Sequence, residues 1–248
     1  MAVCGLALEK MDHSGIWTVT ATGRHYPDRL RTRLRDSAPV VLHGVGDTCL
    51  LDTDGVGVVS SWDTSAEGSR VAGEVAEVAV KVGLAVVSGA ARGVDSDAMN
   101  AAVKVGGQVV GVLADSLERA VARRNTRQRV VSGQICLITP YVPVAPFSVG
   151  NAMGSNKIIY GLSRCTVVIA CDREAGGTWA GATEGVKNGY GRVASWTSAG
   201  NAPGKSALVG LGADELTDIA QLHATFTDTP NPAPRIEDPL GQQLSLGF

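Results

Sequence analysis

Aromatic side chains are scarce in this sequence, at 4% of 248 residues, and neither sign of charge predominates. Twenty-two Lys and Arg stand against 24 Asp and Glu, a formal net charge of −2. A balance this close to neutral creates no global positive field, so any contact with nucleic acid has to come from a local basic crevice. Also missing is an apolar run of the roughly 20 residues that span a bilayer. The first residues lack the basic start and apolar stretch of a secretion signal, so no membrane association and a cytoplasmic location are expected. The five cysteines (Cys4, Cys49, Cys136, Cys165, Cys171) form no C-x-x-C pair, and the four histidines (His13, His25, His43, His223) stand singly. That distribution argues against a metal site and against a Cys/His nucleophile. There is no G-x-S-x-G elbow and no P-loop, so no catalytic residues are assigned, no cofactor is expected, and the balance falls towards a non-enzymatic role.

What is abundant is glycine, 31 residues, within a composition that is 44% hydrophobic. From about residue 55, short runs rich in Val and Ala alternate with helical patterns, as in strands joined by crossover helices into a mostly parallel sheet. Strands are expected at 56–60, 84–88, 108–113, 135–139, 166–171 and 192–196. Helices are expected at 66–82, 95–105, 156–163 and 179–187, with Val71, Val75, Val78 and Ala79 on one face of the first. A short strand at 209–211 and a helix at 215–222 close the pattern. The fold class is therefore α/β, a doubly wound, mostly parallel Rossmann-like sheet with helices on both faces. Residues 1–50 read as a short lead-in, 51–227 as the sheet domain, and 228–248 as a flexible tail, because Thr229-Pro230-Asn231-Pro232-Ala233-Pro234 cannot continue a helix.

Two glycine loops follow strands and open helices. In Ser88-Gly89-Ala90-Ala91-Arg92-Gly93-Val94-Asp95 the glycines permit a tight turn, the amides at the helix start face an anion, and Arg92 adds a charge-assisted contact to phosphate. A turn with a merely solvated arginine fits the same residues. Gly176-Gly177-Thr178 repeats the arrangement, and in a doubly wound sheet both loops belong at the carboxyl edge near the switch in strand order. Asn156 and Lys157 open a further helix, with Lys157 either over the crevice or simply on the surface, and Ser60 and Ser61 end the first strand beside it. Asp95 and Glu184 are the acids best placed to approach the crevice, although Asp95 serves equally as a helix cap. The segment Arg123-Arg124-Asn125-Thr126-Arg127-Gln128-Arg129 is the densest basic patch, readable as an extension of a phosphate track or as a solvated helix face.

Taken in order, these stretches resemble the DNA-processing protein A (DprA/Smf) family. The likeness begins with Tyr26-Pro27 and Leu30, Pro39-Val40-Val41-Leu42-His43-Gly44, and Val56-Gly57-Val58-Val59. The loop from Ser88 to Asp95 is similar to S-G-x-A-x-G-[IV]-D, and Gly106-Gly107 to Val112-Leu113 to the strand that follows it. Phe147, Asn156, Lys157-Ile158-Ile159 and Gly161-Leu162-Ser163 resemble F-P-x-R-N-R-I-I-x-G-L-S, and Gly176-Gly177-Thr178 resembles S-G-[ST]. Gly200-Asn201, Ala207-Leu208 and Gly212-Ala213 echo the closing motif. The resemblance implies an extended Rossmann domain that binds single-stranded DNA, commonly as a homodimer, and helps load a RecA-type recombinase. It also marks departures: Ser60-Ser61-Trp62 replaces G-[ST]-R, and Ser155-Asn156-Lys157 replaces R-N-R. Two basic groups that would grip phosphate are absent, which implies weaker DNA binding or a smaller ligand.

The chain ends Gln243-Leu244-Ser245-Leu246-Gly247-Phe248, similar to the Q-x-x-L-x-[LF] peptide by which bacterial replication proteins enter the sliding clamp. Gln243 would hydrogen-bond at a pocket rim, with Leu246 and Phe248 as apolar anchors on a Pro-rich linker. The other reading folds this apolar terminus back on its own core. Three functions stay open at this point: single-strand binding for DNA processing, recombination or uptake; a nucleotide sensor or nucleotide-processing enzyme of the same superfamily; and an adaptor acting through its tail.

Overall fold

The computed structural model describes residues 11, 13–61, 65–198 and 203–228. Nine strands form one sheet: β1 (Trp17–Thr20), β2 (Val41–Val45), β3 (Gly55–Val59), β4 (Ala85–Ser88), β5 (Val109–Val112), β6 (Ile135–Thr139), β7 (Ser163–Val168), β8 (Arg192–Trp196) and β9 (Asp214–Leu216). Their order is β1-β2-β6-β5-β4-β3-β7-β8-β9. From β6 to β9 every pairing is parallel, while β1 and β2 run antiparallel at one edge. β3, β4, β5 and β6 are buried along their whole length, which is why they read in sequence as unbroken apolar runs rather than alternating ones. The chain steps from β3 outward through β4, β5 and β6, then returns to the other side of β3 with β7. That return opens the switch point at the carboxyl ends of β3 and its neighbours.

Helices cover both faces. On one lie α2 (Ala66–Lys81), α3 (Val94–Lys104), α4 (Leu117–Ala122), α5 (Arg124–Val131) and α9 (Ala220–Thr227), with Val71, Val75, Ala98, Leu117 and Phe226 in the core. On the other lie α1 (Asp28–Leu34), α6 (Val149–Leu162), α7 (Gly176–Asn188) and α8 (Pro203–Gly210), centred on Leu30, Ile158, Tyr160, Ala182 and Leu208. The face predicted for α2 is the face it buries, with Val71, Val75 and Ala79 fully enclosed. Ser65 starts that helix by accepting a hydrogen bond from the Gly68 amide at 3.2 Å.

Residues of the lead-in join this architecture directly. β1 and β2 are strands of the sheet, and α1 packs on the end of α6, where a Cβ on Gly161 would lie 2.8 Å from Leu30 Cδ2. Arg29 bridges to Asp54 at 2.5 Å and donates to the carbonyls of Thr53 and Leu162. Arg33 donates to the carbonyls of Ser163 (2.5 Å) and Gly161 (3.2 Å), satisfying acceptors that the end of α6 leaves open.

Several placements differ from expectation: β7 runs 163–168 where 166–171 is expected, α7 starts at 176 where 179 is expected, and two further differences are larger. The helix expected at 156–163 starts at Val149, capped by Ser148, whose Oγ accepts from the Asn151 amide at 3.0 Å. Gly150, Gly154, Asn151 and Ser155 are weak helix formers, so its first two turns read as loop. Asn156 and Lys157 therefore lie in the middle of α6 and do not open it. At the end of the fold, Val209 and Gly210 close α8 and Leu211 lies in the turn after it, 214–216 form β9, and the last helix begins at Ala220. An apolar run this short carries no decisive period, so its assignment rested on order alone.

Candidate functional site

A cavity of about 440 Å³ opens at the carboxyl edge of the sheet. Its wall takes Val59, Ser60 and Ser61 from the end of β3, Gly89, Ala91 and Asp95 from the β4–α3 junction, and Ala114 from beyond β5. Phe147, Val149, Ala152, Met153, Ser155 and Asn156 come from the approach to α6 and its first half; Asp172 and residues 175–178 follow β7. Both glycine loops thus face one crevice at the switch point, as the doubly wound order requires.

Of the residues singled out in the sequence, Ser60, Ser61, Gly89, Asn156, Gly176, Gly177 and Thr178 line the cavity, and Ser88, Arg92, Gly93 and Lys157 do not. Ser88 is wholly buried, and its hydroxyl donates to the Val58 carbonyl at 2.8 Å, so it ties β4 to β3 instead of meeting a ligand. Arg92 and Gly93 are exposed on the outer side of the loop, where Gly93 has a φ of +88° and precedes α3. Lys157 is half-buried on α6, one residue past Asn156. Among the described residues no lysine or arginine lines the cavity. Its charged groups are the carboxylates of Asp95 and Asp172.

Asp95 changes the reading of the first loop. Burial pushes the pKa of its carboxyl group up to about 7, a shift that the nearby Ala91 and Gly89 amides and Ser88 hydroxyl only partly offset. A carboxyl group of the same chain thus lies against the loop that is expected to meet an external anion. The close approach needs glycine, since a Cβ on Gly89 would sit 2.7 Å from Asp95 Oδ2. Ala90 adopts a left-handed φ of +53°, as does Glu174, at +57°, before the second loop. Both turns therefore hold non-glycine residues in a costly conformation, a feature that concentrates at functional sites.

The second loop is braced from α6. Asn156 Nδ2 donates to the Gly177 carbonyl at 3.0 Å. Gly177, Gly181 and Gly185, spaced by four, present the glycine face of α7 to α6: a Cβ on Gly181 would lie 3.2 Å from Asn156 Cβ and 3.2 Å from Tyr160, and one on Gly185 would lie 2.9 Å from Tyr160. This contact was not anticipated, because glycines inside a helical pattern read first as breakers.

Val59, Ala114, Phe147, Val149, Ala152 and Met153 form the apolar part of the wall, and its rim is open. Phe147 and Met153 are each 45% exposed and Val149 is 69% exposed, an arrangement suited to a flat, uncharged ring. Ser60 Oγ is buried in this region with no hydrogen-bond partner. Trp179 packs against the core beneath α7, while Trp62 lies outside the described residues, as do Gly200, Asn201 and the tail residues Gln243, Leu246 and Phe248. Among the described residues no helix is long and apolar enough to cross a membrane, and no group of three potential metal ligands occurs.

The sequence profile of the family described as DNA recombination-mediator protein A matches residues 17–227. DNA processing protein DprA of Bacillus subtilis (strain 168) is 27% identical over 165 residues, covering 65% of this chain and 54% of its own length. The Smf protein of Synechocystis is 29% identical over 123 residues, 49% of this chain and 31% of its own length. The chain thus spans about half or less of the curated relatives it matches. Among solved structures, DNA processing protein A of Streptococcus pneumoniae aligns with a TM-score of 0.73 at 25% identity, covering 86% of this chain and 75% of that one. The Helicobacter pylori protein, whose structure addresses a single-stranded DNA binding mode, aligns at 0.70 with 21% identity, covering 85% and 94%. With its fold, its loops in their order and most of its length matched, the chain belongs to the DNA recombination-mediator protein A (DprA/Smf) family.

Proposed function

We propose that the chain binds single-stranded DNA at this crevice, acting in DNA processing, recombination or uptake, and that it does so without catalysing a reaction. The observation that carries this reading is the division of the site: a cavity of about 440 Å³ with an apolar rim and no described cation in its wall, with Arg92 and Lys157 next in sequence to its wall residues Ala91 and Asn156. A base enters the cavity against Phe147 and Met153, and the phosphates stay outside, within reach of the guanidinium and the ammonium. Keeping the phosphates out also avoids Asp95 and Asp172. Loading of a RecA-type recombinase, pairing as a homodimer and attachment to a sliding clamp through Gln243, Leu246 and Phe248 belong to the same proposal. They are supported by family membership and by the sequence of the tail.

Fluorescence anisotropy with a labelled oligothymidylate tests the reading. Arg92→Ala combined with Lys157→Ala lowers affinity and reduces the log–log salt slope by about 1.4, at roughly 0.7 per phosphate contact for single strands. An unchanged affinity and slope would exclude both side chains from the site. The cavity volume also falls within the roughly 300–1,000 Å³ of small-molecule sites, which favours a mononucleotide ligand as the second reading. Calorimetry separates the two: saturable mononucleotide binding that oligothymidylate cannot displace supports the sensor.

A further inference from the structure

We infer that the exposed arginine face of α4 and α5 is a second phosphate-binding surface, along which a single strand leaving the crevice runs. The inference rests on the crevice reading and extends it to a surface that the cavity does not include.

Residues 117–131 contain five arginines, Arg119, Arg123, Arg124, Arg127 and Arg129, and one acid, Glu118. In a chain of net charge −2 this is a marked local excess of positive charge. Arg119, Arg123, Arg124 and Arg127 are exposed, and no ion pair involving them occurs among the described residues. Arg129 is half-buried and donates to Asn100 Oδ1 at 2.8 Å, anchoring α5 on α3.

The polarity of α5 makes the cluster costly as a purely structural feature. Arg124 is the first residue of α5, with no acidic residue in its first turn, so a cation occupies the end where the helix dipole favours anions; Arg123, between the two helices, caps both the end of α4 and the start of α5. Arg124 and Arg127, three apart, also present like charges to each other. A polyanion lying across this face removes both penalties.

Its position connects it to the crevice. Ala114 lines the cavity, and α4 begins three residues later. The start of α4 is fastened to the loop that carries Phe147: the Glu118 amide and Ser116 Oγ each donate to the Pro143 carbonyl, at 3.1 Å. Arg119 stands in the first turn of α4, and the helix advances about 9 Å over its six residues before Arg123 begins the next group. The basic face thus starts at the crevice rim and leads away from it. No aromatic residue lies within 117–131, so contact here is with the sugar-phosphate chain and independent of sequence.

The test compares the full chain with the triple variant Arg123→Gln, Arg124→Gln, Arg127→Gln, titrating a long oligothymidylate and a trinucleotide across a salt series. The triple variant is expected to lower the long-strand salt slope by about 2, three contacts at roughly 0.7 each, and to leave trinucleotide affinity unchanged. The corresponding triple Lys variant retains the slope, which separates charge from folding, and the thermal midpoint of the Gln variant does not fall below that of the wild type. If the wild type binds the long strand and the Gln variant keeps the full slope, the surface is not part of the DNA path. If the wild type binds neither ligand, the crevice reading fails and this inference with it. Capture of polyglutamate that the Gln variant abolishes, with the oligothymidylate slope intact, would assign the face to an acidic peptide and overturn the proposal.

Discussion

Asn156 and Gly177 join the two halves of the crevice: the Asn156 amide nitrogen donates to the Gly177 carbonyl at 3.0 Å, holding the glycine loop after β7 to the middle of α6. Removing this bond by Asn156→Ala leaves the carbonyl without its partner, at a cost of about 1 kcal/mol. The expected result is a lower thermal midpoint together with weaker single-strand binding, read by calorimetry and anisotropy on the same sample.

The contact between α6 and α7 depends on the absence of side chains. Gly185→Ala places a methyl group 2.9 Å from the Tyr160 ring, so overpacking of roughly 1–3 kcal/mol outweighs the helix propensity of roughly 1 kcal/mol that alanine contributes. Chemical denaturation is expected to show a net loss of stability, although the same change raises stability at an open helical site.

Asp95 makes the crevice pH-sensitive. Burial raises its carboxyl pKa to about 7, above the ordinary carboxylate range, so folding favours the protonated form. The stability this group contributes is full below about pH 4 and is lost as pH rises through 7. Relative to Asp95→Asn, the wild type is expected to lose on the order of a few kcal/mol between pH 5 and pH 8. Single-strand affinity is expected to be higher at pH 6 than at pH 8 for the same reason, because the ionised carboxylate repels phosphate at the loop. The Asn variant flattens that difference in parallel titrations.

Gly89→Ala probes the same carboxyl group from the other side. A Cβ 2.7 Å from Oδ2 pushes the Asp95 carboxyl group off the loop, for about 1–3 kcal/mol of lost stability. Faster amide exchange at Gly89 and Ala91 is the local signature to measure.

Much of this architecture was legible in the sequence because parallel strands buried on both faces appear as plain apolar runs, and because strand-to-helix junctions in such a sheet lie at one edge. Hence the loops that carry Gly89 and Gly176-Gly177-Thr178 read as neighbours at one crevice from the sequence alone. Less legible was whatever depended on glycine acting inside a helix. Gly150 and Gly154 hid the first turns of α6, and Gly177, Gly181 and Gly185 concealed a packing face. The role of Asp95 is only half visible: its proximity to the loop follows from six residues of separation, but its burial against Gly89 belongs to a turn with Ala90 at positive φ. The short closing segments are not legible, because a run as short as Val209-Gly210-Leu211 carries no period.

Hydrogen–deuterium exchange of the full chain, with and without oligothymidylate, tests the single-strand crevice most directly. Protection is expected together in 89–95, in 147–157 and in 175–178. A strand that binds tightly while leaving those three segments unprotected would contradict it.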